Sequence, residues 1–178
     1  MRKLIPVVAL ALVAVAGETS TAQSPLKFSP SINAGVSVPT GTYANQFNTG
    51  YTAGAALDMG ISMVPVGFRV EASYTHMGIN TGIAGVDAHT NDVAGRLDAV
   101  LHLPLLLISP YAIGGVGMYH VSASGAPSAQ NKFGWNAGLG FDVPLGPIGG
   151  RVEARYNSVS MDGGQKYTYM PITFGIRF

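Results

Sequence analysis

The sequence predicts an all-β protein, an eight-stranded antiparallel transmembrane β-barrel with up-and-down meander order. Three observations carry that expectation. Segments of about ten residues alternate between apolar and polar positions, long and short connections take turns between them, and the strand charges fall on the polar phase.

Composition sets the frame. Only 11% of the 178 residues are charged, against roughly 25% in a soluble globular domain, so something other than water is expected to cover much of the surface. The length suits one domain. There is no cysteine, which excludes disulfides, thiolate metal sites and a lipid-modified cysteine.

The first element reads as an export signal. Met1-Arg2-Lys3 is basic, Leu4 to Gly17 is almost wholly apolar, and Ser20-Thr21-Ala22 supplies small residues for cleavage after Ala22. The apolar run is shorter than the ~20 residues of a membrane-spanning helix, and Pro6 interrupts it. Residues 1–22 are therefore expected to be removed and residues 23–178 to form the barrel domain. Without Arg2, Lys3 and Glu18, the ten basic and nine acidic residues become eight of each. A neutral chain without a basic patch does not suit a nucleic-acid partner.

The strands then follow in order. In the first, Phe28, Pro30, Ile32, Ala34, Val36 and Val38 alternate with Ser29, Ser31, Asn33, Gly35 and Ser37. In the second, Tyr51, Ala53, Ala55, Leu57, Met59, Ile61 and Met63 oppose Thr52, Gly54, Ala56, Asp58, Gly60 and Ser62. The third sets Phe68, Val70, Ala72 and Tyr74 against Arg69, Glu71, Ser73 and Thr75. The fourth sets Val93, Leu97, Ala99, Leu101 and Leu103 against Asp92, Arg96, Asp98 and His102. This is the period of a strand with unlike faces.

The fifth strand, about Ile108 to Val121, is ambiguous. Tyr111, Ile113 and Tyr119 compete with Ala112, Val116 and Met118 for the apolar face, and the latter set is preferred because it turns Gly115 and Gly117 inward. The sixth opposes Phe133, Trp135, Ala137, Leu139, Phe141 and Val143 to Gly134, Asn136, Gly138, Gly140 and Asp142. The seventh opposes Val152, Ala154 and Tyr156 to Arg151, Glu153, Arg155 and Asn157, and the eighth Met170, Ile172, Phe174, Ile176 and Phe178 to Tyr169, Thr173, Gly175 and Arg177.

The connections Thr40 to Thr49, Gly78 to Thr90, Ser122 to Asn131 and Ser160 to Lys166 are long and polar. Those between them are short and carry Pro65, Pro104 and Pro147. An even strand number with long and short ends on opposite sides is the arrangement of outer-membrane barrels, which puts four loops outside and both termini in the periplasm.

Alternation alone does not say which face is outside. The charges do: beside Asp92, the ten residues Asp58, Arg69, Glu71, Arg96, Asp98, Asp142, Arg151, Glu153, Arg155 and Arg177 share a phase made mostly of Gly, Ser, Thr and Asn. Acids and arginines nearly balance, as suits a packed polar interior. These ten residues are expected to form an interior ion network, with Glu71 and Glu153 as hubs. Each hub follows an inward arginine two residues earlier, Arg69 or Arg151, and Asp58 and Arg96 on the strands flanking Glu71, with Asp142 and Arg177 on those flanking Glu153, allow opposite charges to pair across strands in partnerships that depend on register. The apolar phase carries aromatics mostly near strand ends, as girdles at the two membrane interfaces do.

The motifs Pro110-Tyr111-Ala112-Ile113-Gly114-Gly115-Val116-Gly117, Gly134-Trp135-Asn136-Ala137-Gly138-Leu139-Gly140 and Ile172-Thr173-Phe174-Gly175-Ile176-Arg177-Phe178 resemble the OmpA/OmpX-like family of small outer-membrane β-barrel proteins. The resemblance implies assembly by the barrel-assembly machinery, which would read Phe178 with Ile176 and Phe174. It also implies contact with outer-membrane lipid and lipopolysaccharide in a Gram-negative-type envelope, as a monomer. The role expected is envelope integrity, adhesion or recognition through the loops, with a narrow pore as the alternative.

Chemistry is sparse. The glycine-rich stretches lie inside strands with no helix following, unlike a phosphate loop. Asp87, His89 and Asp92 lack the spacing of a dedicated metal site, and a solvated loop is the preferred reading. His120 and Ser122 share a strand face and resemble the His-x-Ser element of lipid A deacylase barrels. No nearby acid is placed to orient the histidine, so no catalytic residue, cofactor or metal is expected.

Overall fold

The computed structural model describes residues 26–61, 64–81, 88–103, 108–124, 128–146 and 148–178. Eight strands run β1 Leu26–Pro39, β2 Gly50–Ile61, β3 Val66–Ile79, β4 Ala88–His102, β5 Ser109–Ala123, β6 Gln130–Leu145, β7 Ile148–Ser160 and β8 Lys166–Arg177. They close into one barrel in sequence order. Every neighbouring pair is antiparallel, including β1 with β8, where the register runs from Ser31 opposite Arg177 to Pro39 opposite Tyr169. The fold is the eight-stranded meander barrel expected. Residues 1–22, the expected cleavage after Ala22, Met63, Asp87, Pro104 and Pro147 lie outside the described residues.

Closure has a physical cause. Backbone N–H and C=O groups in hydrocarbon have no water to bond, and a barrel leaves no unpaired edge. Among the described residues no helix is long and apolar enough to cross a membrane; the strands supply the wall. Leu139 is 69% exposed, and Phe28, Ile32, Leu97, Trp135, Phe174 and Ile176 are also exposed, whereas Arg69, Arg96, Asp98, Arg151, Glu153 and Arg155 are buried. Apolar outside and charged inside is the reverse of a water-soluble protein.

The strands, at 12 to 16 residues, exceed the 9–11 that span a bilayer. β3 and β7 reach past the alternating segments Phe68 to Thr75 and Arg151 to Asn157 on both sides. On the long-loop side the next residues are the half-buried His76 and the buried Ser158, and pairing continues opposite Asn91 and Trp135. The alternation marks the part of each strand inside the apolar layer, and backbone pairing outlasts it.

On β5 the preferred facing holds. Ala112, Val116 and Met118 are exposed, while Tyr111, Ile113, Gly117 and Tyr119 are buried. Two tyrosines therefore enter the lumen, and glycines on the next strand make room for them. A Cβ at Gly140 would collide with the phenol of Tyr111, and one at Gly134 would stand 2.8 Å from Tyr119 Cε2.

Leu139 pairs with Ala112 and Ala154 halfway along β6, whereas Leu145 lies at the short-turn end. Leu139→Arg should therefore cost about 2–4 kcal/mol of folding free energy in lipid vesicles, and Leu145→Arg at most ~1 kcal/mol. Equilibrium urea unfolding of the two variants measures the difference.

Candidate functional site in the barrel interior

Alternation directs one side chain in two into the lumen, and closure brings those side chains within reach of the opposite wall. β3 and β7 are four strands apart in either direction around the barrel. Arg69 on β3 nevertheless reaches Glu153 on β7, Nη1 to Oε2 at 2.6 Å, while its Nε bonds Asp58 at 2.7 Å. Arg155 on β7 reaches back to Glu71 at 2.9 Å and Asp98 at 3.0 Å, and it also binds Glu153. Arg96 bonds Glu71 at 2.7 Å and Ser73 at 3.0 Å.

Toward the short turns a second group follows. Arg151 donates to Asp142 at 2.8 Å and to Asp58 at 2.9 Å, and Arg177 donates to Asp142 at 2.9 Å. Asp58 receives both Arg69 and Arg151, so it joins the two groups. All ten sequence-selected residues thus meet in the lumen, five arginines against five carboxylates. Each arginine bond is charge-assisted, the stronger kind of hydrogen bond.

The pairing corrects the expectation in one respect. Arg96 is on a strand flanking Glu71, as expected, but the arginines on Glu153 are Arg69 from across the lumen and Arg155 from its own strand. Asp142 takes both Arg151, its cross-strand neighbour, and Arg177, so Arg177 does not serve Glu153. Asp58 takes its cross-strand neighbour Arg69 and, in addition, Arg151. An arginine stem is long enough to cross a barrel this narrow, so nearest-strand pairing is not compulsory.

Neutral side chains complete the network, and sequence reasoning did not select them. Tyr111 donates its hydroxyl to Glu153 at 2.6 Å, and its ring lies 5.3 and 5.4 Å from the guanidinium carbons of Arg69 and Arg151. Asn136 donates to Asp98 at 2.7 Å. The strand parity that picked out Arg155 and Asp142 also applies to Asn157 and Asn136, and was the available signal.

Toward the long loops the interior changes character. Met77, Ala94, Tyr119, Val121, Val159, Tyr167 and Tyr169 form a buried cluster, with Phe47 and Met161 packed against it. The inward phase is thus not only small and charged, as the sequence suggested. Tyr119 and Tyr169 fit because each keeps its ring in the cluster and its hydroxyl on a polar partner, while the Tyr167 hydroxyl lies 3.9 Å from Met77 Sδ. Tyr169 donates to Asp92 at 2.7 Å and Tyr119 to Asn157 at 3.1 Å. Phe47 comes from the first long connection, whose backbone is fastened to the end of β3 by Asn48 N–H to Gly78 O at 2.8 Å and Asn80 N–H to Gln46 O at 2.7 Å.

The residues considered for other chemistry stay apart. His89 faces outward and the buried Asp92 inward. His120 shares a 2.7 Å bond with Asn131, and Ser122 donates to the carbonyl of Asn91 at 3.4 Å. Neither bond makes the base–nucleophile contact that hydrolysis needs. Phe174, Ile176 and Phe178 line up on the outer face, and Phe178 N–H closes onto Pro30 O at 2.9 Å.

A closed wall with an apolar exterior around an ion-paired core defines an outer-membrane β-barrel. The chain belongs to the outer membrane protein beta-barrel domain family, whose model matches residues 7–178. Neisserial surface protein A shares the fold at a TM-score of 0.66 and 14% identity, over 86% of this chain and 98% of that one. Ail, the attachment invasion locus protein of Yersinia pestis, solved with the heparin analogue sucrose octasulfate, matches at 0.53 and 15%, over 85% and 99%. A major outer membrane protein of Thermus thermophilus matches at 0.53 and 14%, over 87% and 99%. No curated protein shows significant similarity to the sequence.

Removing one member of a buried ion cluster leaves charge without its partner, which costs about 3–5 kcal/mol. Glu153→Ala should therefore destabilise the barrel by about that much in urea. Asp162, 81% exposed and 2.6 Å from Lys132, forms a surface pair, and Asp162→Ala should cost less than ~1 kcal/mol. Equal unfolding midpoints for the two variants would show that the lumen pairs contribute no more than a solvated one.

Proposed function

We propose that this protein is a non-enzymatic barrel with a plugged lumen, and that its role in envelope integrity, adhesion or recognition is carried by four external loops. The observation that carries the reading is the pair of cross-lumen arginines. Arg69 and Arg155 tie β3 and β4 to β7, beneath the cluster of Tyr119, Tyr167 and Tyr169. An eight-stranded interior is just wide enough for side chains to fill, and these fill it with bonds rather than with a lined channel.

In this reading residues 1–22 are removed on export, both termini of the mature domain lie in the periplasm, and the long connections face outward. The assembly machinery recognises the outward row Phe174, Ile176 and Phe178, and lipid and lipopolysaccharide cover the wall. The distribution of charge narrows the class of loop partner. Five of the ten basic residues are the lumen arginines and two precede the described residues, which leaves Lys27, Lys132 and Lys166. Lys132 is bound to Asp162. A polyanion such as the heparin analogue seen with Ail needs a basic surface, so loop recognition here rests on neutral polar and aromatic contacts.

A narrow pore is the second reading. Its support is a cleft of about 640 Å³ at the short-turn mouth, lined by Lys27, Asp58, His102 and Arg177 among apolar neighbours. Planar-bilayer recording of the refolded protein separates the two: a plugged barrel gives no resolved conductance, and regular single-channel steps would establish the pore.

Topology is open to a separate check. Protease added to intact cells should cut within residues 78–90 or 122–131, where long connections expose backbone, and spare the turns near Pro65, Pro104 and Pro147. Cleavage confined to those turns would reverse the orientation.

A further inference from the structure

Two of the four histidines meet on the outer face of β3 and β4, away from the lumen. His76 stands opposite Asn91, and His89 opposite Gly78. His76 and His89 are therefore diagonal neighbours on one face of the sheet, one step beyond Tyr74 toward the long loops. The ring centroids of His76 and His89 lie 5.2 Å apart, at an interplanar angle of 33°. We propose that His76 and His89 form a two-imidazole site for a first-row transition ion of the zinc or copper(II) class.

The spacing suits such an ion. A tetrahedral metal 2.0–2.1 Å from one nitrogen of each ring holds the two ring centroids about 5 Å apart. Imidazole is a ligand shared by zinc, copper and nickel, whereas calcium and magnesium take oxygen.

The surroundings of each ring are those of a held ligand. Asn91 Oδ1 can only accept, and it receives His76 Nδ1 at 2.7 Å and the Tyr74 hydroxyl at 2.7 Å. The His76 proton is thereby fixed on Nδ1, and the lone pair on Nε2 is left for a metal. Tyr51 stacks on the His76 ring with centroids 5.0 Å apart, restricting its rotation. His89 Nδ1 lies 3.1 Å from Ser124 Oγ, which also accepts the His89 backbone N–H at 3.2 Å. A hydrogen bond at the second ring nitrogen is the usual way a metal-binding imidazole is oriented. Among the described residues no third histidine or carboxylate joins the pair, so water fills the remaining positions. The ion ties neighbouring strands together at the level of the lipid headgroups.

The test uses the refolded full-length barrel domain in detergent, without a polyhistidine tag, titrated with zinc chloride by calorimetry. One zinc should bind per barrel. His76→Ala or His89→Ala should weaken binding at least tenfold, and Asn91→Ala by about 10-fold or more through the lost orienting bond. His120→Ala, whose ring is held by Asn131, should bind like the parent. Copper(II) electron paramagnetic resonance of the unmodified protein should show two coupled imidazole nitrogens, a reading that does not depend on any variant folding. Unchanged zinc affinity in both histidine variants, an equal loss in His120→Ala, or a copper spectrum with at most one nitrogen would overturn the proposal.

Discussion

The ion pair between Arg69 and Glu153 crosses the lumen from one wall to its opposite, and the rest of the interior follows from making that contact possible. A guanidinium inside a barrel that sits in hydrocarbon has no bulk water to solvate it, so it must find carboxylates or not be charged there at all. Arg69 finds Asp58 on the adjoining strand and Glu153 on the far one. Reaching the far wall requires a lumen free of other bulk at that height. β5 and β6 supply this by placing Gly117, Gly138 and Gly140 on their inner faces, where a Cβ would meet Arg96, Arg155 and Tyr111 respectively. The glycine-rich strands and the arginine-rich strands are two halves of one packing solution.

Much of this is visible in the sequence because a strand has a period of two. Once one face is known to carry Arg151, Glu153 and Arg155, the facing of the whole strand is settled, and the exterior follows from Val152, Ala154 and Tyr156. What parity does not contain is register around a closed sheet. Which residue of β3 stands level with Glu153 depends on how β8 meets β1, a pairing between residues more than a hundred positions apart. Cross-strand pairing of opposite charges therefore holds for Arg96 with Glu71 and for Arg151 with Asp142, whereas Glu153 takes Arg69 from the far wall, a partner that flanking strands do not supply.

The tyrosine cluster was obscured for a different reason. Tyrosine is suited both to a membrane interface and to a polar-edged interior. Tyr51 and Tyr74 take the first role, and Tyr119, Tyr167 and Tyr169 the second. Strand parity separates Tyr51 and Tyr74 from Tyr169, and on the ambiguous β5 Tyr119 turns inward because Gly117 and Gly134 leave it space. The functional consequence is a division of labour along the axis. Ion pairs occupy the half nearer the short turns and aromatic packing the half nearer the loops, and most of the fixed charge among the described residues lies inside the wall.

The central claim is that the walls are held together through the lumen, and a double-mutant cycle between Arg69 and Glu153 examines it most directly. Arg69→Leu, Glu153→Gln and the double variant are unfolded in urea in lipid vesicles and compared with the parent. A coupling free energy of about 1 kcal/mol or more is the predicted result, since residues in one buried network depend on each other. Costs that add within ~0.5 kcal/mol would mean that the two side chains lie near one another without holding the barrel shut.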